Sequence, residues 1–65
     1  MAMDEIAGWK EVMREIDWNV KATEDAAREF PNPMNRGMRD AWIKAQDIVG
    51  KQLARMMDKE NTRSE

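Results

Sequence analysis

The chain has 65 residues, of which eleven are basic and thirteen acidic, and it contains no cysteine and no histidine. Without these two residue types there is no disulfide framework, no thiolate nucleophile and none of the common zinc patterns. Histidine and cysteine are also the favoured general base and the strongest nucleophile at neutral pH, so we expect no enzyme, no metal site and no cofactor. A formal net charge of −2 argues against nonspecific binding to nucleic acid or to an anionic membrane.

The apolar content bounds both the location of the protein and the size of its core. No apolar run approaches the roughly 18 residues of a membrane span. The first residues lead into Asp4 and Glu5 rather than into a basic signal-peptide start, so a cytoplasmic protein is expected. Apolar residues make up 42% of the chain, but they include eight alanines, seven methionines and only one leucine. This supply of bulky side chains predicts a core too thin for a lone monomer.

The first half of the chain carries core-type residues at alternating spacings of three and four. This heptad pattern predicts one helix from Met3 to about Phe30. Asp4 and Glu5 in its first turn suit the positive end of the helix dipole. The pattern consists of Ile6, Trp9, Met13, Ile16, Val20, Thr23, Ala27 and Phe30.

The segment 31–33 reads Pro-Asn-Pro and must interrupt this helix, because proline lacks an amide donor and restricts the residue before it. Asn32 can cap a following helix, and Pro33 suits a first helical position. The sequence therefore predicts a turn and a second helix from Pro33 to about Lys59. Because a glycine weakens its first turn, a start as late as Met38 remains open.

The second helix is also amphipathic. Its predicted core face contains Met38, Ala41, Trp42, Ala45, Ile48, Val49, Leu53 and Met56, with Gln52 among them. The tail 60–65 has no apolar residue and is expected to fray. A short connection between two long helices predicts an all-α, antiparallel helical hairpin that forms one domain over residues 1–65.

Two helices can bury only one stripe each against the other, so a further partner is expected. The simplest partner is a second hairpin, which gives a homodimer with a four-helix bundle. A second, weaker apolar track on the side of helix two predicts the oligomer interface. It consists of Ile43, Gly50, Leu53 and Met57, with Gly50 allowing another helix to approach closely.

Trp18 is the residue that folding explains least. The heptad pattern places it opposite the core, on a stripe of acidic residues. An exposed tryptophan among carboxylates is typical of a protein-binding hot spot that faces a basic surface. The predicted partner-binding residues are Trp18, Glu11, Glu15 and Asp25. The alternatives are that the stripe is merely solvated, or that Trp18 folds over a neighbouring helix or lies within the dimer.

Pairs of opposite charge at four-residue spacing recur on both helices. Such pairs support a helix by about 0.2 to 0.5 kcal/mol each. They are Asp17 with Lys21, Glu24 with Arg28, Asp40 with Lys44 and Asp47 with Lys51.

These features favour a small noncatalytic regulatory, adaptor or inhibitor protein that binds a larger protein through a helical face. One alternative is a Rop-like RNA- or DNA-binding helical dimer that uses the basic residues Lys44, Lys51 and Arg55. Neighbouring aspartates would repel phosphate there and disfavour this reading. Another alternative is a structural subunit whose apolar surface is completed by a larger assembly.

Overall fold

The computed structural model describes residues 2–64, with side chains described for residues 4–59. It consists of helix α1, Ala2–Glu29, and helix α2, Pro33–Ser64. The two helices pack against each other along a slender body with extents of 50 × 15 × 12 Å. The prediction of an all-α hairpin is therefore confirmed.

The helices run in opposite directions. Residue numbers fall along α1 as they rise along α2 at the points where the helices meet. These points are Asn35 with Ala26, Gln46 with Asp17, and Gly50 with Met13.

Two asparagines build the turn between the helices. The last helical hydrogen bond of α1 runs from the Phe30 amide to the Ala26 carbonyl, at 2.8 Å. The Asn35 side-chain amide then donates to the Phe30 carbonyl at 2.8 Å, and so satisfies an acceptor at the end of α1. The Asn32 side-chain oxygen accepts from the Asn35 amide at 2.8 Å, which is the predicted cap of α2. With this cap in place α2 begins at Pro33 rather than at Met38.

The core contributed by α1 follows the heptad pattern at its centre. The buried side chains are Ile6, Ile16, Val20, Thr23 and Ala27. The Thr23 hydroxyl donates within its own helix to the Asn19 carbonyl at 2.7 Å and lies near the Val20 carbonyl, so its burial leaves no unsatisfied group. The pattern is wrong at Phe30, which is 68% exposed. Phe30 lies beyond the last residue of α1, where the chain has begun to turn.

The face of α2 that packs on α1 overlaps the predicted one only in part. The predicted core residues that are partly buried are Trp42, Ala45, Val49, Leu53 and Met56. Met38 and Ile48, also predicted in the core, are 49% and 58% exposed, and Ala41 and Gln52 are exposed as well. The residues that are partly buried without having been predicted there are Asn35, Arg39, Gln46 and Gly50. The polar members of this set have partners that hydrophobicity does not reveal, such as the Gln46 amide donating to Asp17 at 2.8 Å.

The end of α2 also differs from the prediction. The helix continues to Ser64, past the predicted end at Lys59, because the residues after Lys59 include neither proline nor glycine. The backbone of residues 60–64 is thus helical where the sequence predicts a frayed tail, and Glu65 lies outside the described residues. Neither helix, as far as the structure describes it, is apolar enough over a sufficient length to cross a membrane.

Candidate functional site

Trp18 lies on the outward face of α1, as the heptad pattern predicts. Its side chain is 74% exposed, the largest exposure of any bulky apolar residue in the described part of the chain. Ile16 and Val20 on either side of it are buried against α2, so the helix itself holds the indole away from the core. The hairpin therefore does not use Trp18 for packing. The indole does not fold back over α2, which was one of the alternatives predicted for this residue.

The indole borders an open depression on the surface of α1. The depression is lined by Arg14, Glu15, Trp18 and Asn19. Asn19 is fixed there, because its side-chain amide donates to the Glu15 carbonyl at 2.8 Å. The site thus combines a large apolar surface with ionisable groups of both signs within two turns of one helix.

The predicted acidic residues do not act as one uniform patch. Glu11 forms an ion pair with Arg14, and Asp25 pairs with Arg28 at 2.6 Å. Among the residues whose side chains are described, the Glu15 carboxylate has no ion-pair partner. Negative charge at this surface is therefore concentrated beside the indole at Glu15, while Glu11 and Asp25 are locally balanced.

The residues predicted as an oligomer interface divide into two groups. Ile43 and Met57 are exposed, at 38% and 41%. Gly50 and Leu53 are partly buried, and a Cβ placed on Gly50 would lie 3.8 Å from Cε of Met13 in the same chain. In the hairpin, Gly50 therefore faces α1.

A larger apolar surface, which we call the broad apolar face, emerges elsewhere. Its exposed residues are Trp9, Val12 and Phe30 from α1 and the adjoining turn, and Met34, Met38 and Ile48 from α2. The sequence pattern places four of these in the core and includes neither Val12 nor Met34 in a predicted core face. These residues lie at the edges of the core stripes of the two helices, and the antiparallel arrangement brings both edges to the same side of the hairpin. That position is the feature of the sequence from which the face could have been predicted.

The predicted basic edge of α2 is partly neutralised. Lys51 pairs with Asp47 at 3.1 Å, and Arg39 pairs with Asp40 at 3.0 Å. Among the described residues, no group of acidic side chains is arranged to hold a metal ion. Lys44 and Arg55, the other two residues of this edge, take part in none of the ion pairs among the described side chains, so the edge keeps two uncompensated cations.

Comparison of the chain with protein-family models, with curated proteins and with solved structures finds no match.

Proposed function

We propose that this protein is a small noncatalytic regulatory, adaptor or inhibitor protein that acts in the cytoplasm by binding a larger protein through the outer face of α1. The observation that carries this proposal is the 74% exposure of Trp18 on the face of α1 opposite the buried residues Ile16 and Val20. Tryptophan is enriched at interface hot spots because it contributes a large contact area with few rotatable bonds.

The surroundings of Trp18 define the chemistry of the partner. An indole projecting from a helix fits an apolar slot in a groove on the partner, in the manner of helix-in-groove recognition. The Glu15 carboxylate lines the same depression, so a lysine or arginine at the edge of that slot would complement it. Glu11 and Asp25, already paired with arginines, contribute less to this attraction.

The test compares capture of proteins from the native host by the unaltered chain and by Trp18→Ala. The expected result is that the captured partner binds Trp18→Ala about 5- to 30-fold more weakly, while circular dichroism shows unchanged helicity. Ile43→Ala is the matched control, because it also removes an exposed apolar side chain but lies on α2. Equal capture by all three proteins would refute the proposal, and so would loss of the helical fold in Trp18→Ala.

Charge reversal at Glu15 tests the electrostatic part. Glu15→Lys should weaken binding to the same partner, and the loss should shrink at high salt because a screened ion pair contributes less. Arg28→Glu is the control, since it reverses a charge on the same helix outside the depression. A partner that tolerates Glu15→Lys but not Arg28→Glu would place the contact elsewhere on α1.

We further propose that the hairpin forms a homodimer with a four-helix bundle. The support is the thin core: none of the described side chains is completely enclosed within the hairpin. Light scattering should give twice the chain mass of 7.6 kDa. If the measured mass at micromolar concentration is that of one chain, the dimer is contradicted, whereas the proposed role of Trp18 is not affected.

Two other functions make different predictions. A nucleic-acid-binding dimer would be retained on RNA or DNA and released steeply by salt, and absence of retention at low salt eliminates it. A structural subunit of a larger assembly would exchange between oligomeric states when isolated. A single sharp unfolding transition that depends on concentration, as expected of a dimer, argues against that role.

A further inference from the structure

The broad apolar face lies along one flank of the hairpin. With about 100° of rotation per residue, Val12 and Phe30 fall at the same angle on α1, and Met34, Met38 and Ile48 fall within one sector of α2. Trp9 connects the two rows, because it shares a surface depression with Ile48 and Gln52. The opposite flank is polar, and it carries the hydrogen bond between Gln46 and Asp17 and a depression lined by Glu24, Ala27, Arg28 and Arg39.

The broad apolar face carries no charge between the turn and Ala45. The other residues along its two rows are small or neutral. They include Asn19 and Ala26 on α1, and Ala41, Ala45 and Gln52 on α2. Toward the open end, Asp47, Lys51 and Arg55 line the depression beside Trp9, and Glu5 and Lys59 lie along the rows. Because contiguous exposed apolar surface on a small protein marks an interaction site, this face is expected to be covered.

The amount of exposed surface indicates what covers it. The chain exposes 5295 Å², whereas a compact protein of 7.6 kDa exposes about 4,300 Å². The surplus of roughly 1,000 Å² is close to the roughly 800 Å² that each partner buries in a stable interface. Contact with one further chain of the same size and shape is enough to bury this surplus area.

The shape of the face matches a second copy in one orientation. The protruding residues Phe30 and Met34, 68% and 70% exposed, lie at the turn end. The depression beside Trp9 lies near the open end. In a dimer with two-fold symmetry every contact occurs twice. If the second copy is rotated so that its turn lies at the opposite end, Phe30 and Met34 of each chain lie over the depression beside Trp9 of the other chain. With the turns at the same end, protrusion would meet protrusion and both depressions would stay uncovered.

The spacing along α2 fits the same orientation. The face residues of α2 occupy positions 34, 38, 41, 45, 48 and 52, a series that reads the same in both directions. Reversed against itself, α2 brings Met38 opposite Ile48 of the second copy, and Ala41 opposite Ala45. The small side chains meet at the centre, where two helices approach most closely, and the large ones fill the ends.

We propose that a second copy of this chain covers the broad apolar face, with the two hairpins stacked so that their turns lie at opposite ends. This inference rests on the proposed dimer but names a different face from the track of Ile43, Gly50, Leu53 and Met57. It leaves Trp18 on the outside of the bundle, so that each dimer presents two partner sites. Asn19 belongs to both proposed sites, so the dimer is tested at Ile48 and the partner site at Trp18, where the two proposals can fail separately.

The first test places a charge on each flank of α2. Ile48→Glu puts a carboxylate in the middle of the broad apolar face, and Ile43→Glu puts one on the opposite flank. Both isoleucines are exposed in the hairpin, so neither change buries a charge within one chain. Light scattering should show that Ile48→Glu raises the dissociation constant of the dimer by about 100-fold or more, because each copy then buries an unpaired carboxylate against Met38 of the other. Ile43→Glu should remain a dimer.

The second test does not depend on the folding of a dissociated chain. The sequence has no cysteine, so a single introduced thiol can be crosslinked without background. In the proposed arrangement the two Asn19 side chains face each other near the two-fold axis, so Asn19→Cys should give a covalent dimer with a short bis-maleimide. Lys21→Cys, at the same level but on the other side of α1, should not.

The outcomes decide between the faces. Dissociation by Ile48→Glu alone, together with crosslinking through position 19 alone, supports the proposal. A monomeric unaltered chain overturns it, as does dissociation by Ile43→Glu. Failure of Asn19→Cys to crosslink, or equal crosslinking through position 21, overturns the orientation of the two hairpins.

Discussion

Replacing Gly50 with alanine tests where the close contacts of α2 lie. Gly50 is inside a regular helix and, like the other glycines of the described chain, has no positive φ. An added Cβ would meet Cε of Met13 at 3.8 Å, an ordinary van der Waals distance. Alanine is favoured over glycine in a helix interior by about 0.8 to 1.0 kcal/mol. Gly50→Ala should therefore stabilise the protein by about 1 kcal/mol, with a small further gain from the contact with Met13.

The assay is urea unfolding followed by circular dichroism, with all proteins at the same chain concentration because a dimer's stability depends on it. Gly8→Ala is the control, since a Cβ there would meet nothing within 4 Å and only the helix preference acts. Both variants should shift the midpoint upward by similar amounts. If another helix instead approached Gly50 closely, Gly50→Ala would lower the stability of the dimer while Gly8→Ala raised it. That combination would refute both the assignment of Gly50 to the α1 contact and the choice of the broad apolar face.

Three further substitutions follow from the packing and the turn. Ile16→Ala should lower the free energy of unfolding by about 2 to 3 kcal/mol, the lower part of the range for buried isoleucine, because the side chain is buried but the core is thin. Urea unfolding measures this loss. A loss below about 1 kcal/mol would show that Ile16 is not in the core. Asn32→Ala should lower the free energy of unfolding by about 1 kcal/mol, because it removes the hydrogen bond from the Asn35 amide, and Asn32→Asp should keep that hydrogen bond and the stability. Equal urea midpoints for the two variants would show that Asn32 does not stabilise α2 as a cap. Lys51→Ala should lower the free energy of unfolding by less than about 0.5 kcal/mol, because both members of its ion pair with Asp47 are largely exposed. A larger loss at low salt that disappears at high salt would show a stronger ion pair than the geometry implies.

The two helices and their turn could be predicted from the sequence because their causes are local. Proline at 31 and 33 ends one helix and opens the next, and Asn32 supplies the cap whatever the rest of the chain does. The heptad pattern of α1 also predicted its buried centre, including Thr23, since a polar residue at a core position is tolerated when its hydroxyl bonds within the helix.

The packed face of α2 could be predicted only in part, at Trp42, Ala45, Val49, Leu53 and Met56. Apolar residues occur around much of this helix, so hydrophobicity alone favoured the side with Met38 and Ile48. The hairpin instead turns a side with Arg39 and Gln46 toward α1, where Gln46 finds Asp17. Such a partner is known only once the register between the helices is known, because the two residues are far apart in the chain.

The candidate site was partly predictable. Exposure of Trp18 follows from its position opposite the heptad core. The charge around it does not, because Arg28 has acidic neighbours at both three- and four-residue spacing. Arg28 pairs with Asp25 rather than with Glu24, while the predicted pair of Asp47 with Lys51 is confirmed. Side-chain rotamers decide between such neighbours, and sequence spacing does not contain that information.

The two prolines of the turn also restrict how copies of this chain can exchange parts. Domain swapping, the exchange of an identical element between two copies, would require the connection of a helical hairpin to straighten, so that both helices merge into one. Here α1 ends at Glu29 and α2 begins at Pro33, with Pro31 between them. A continuous helix through this point would lose amide donors at both prolines and clash with the preceding turn, at a cost of about 3 kcal/mol for each proline. The chain is therefore held to a bent form, which disfavours any association of copies by exchange of helices.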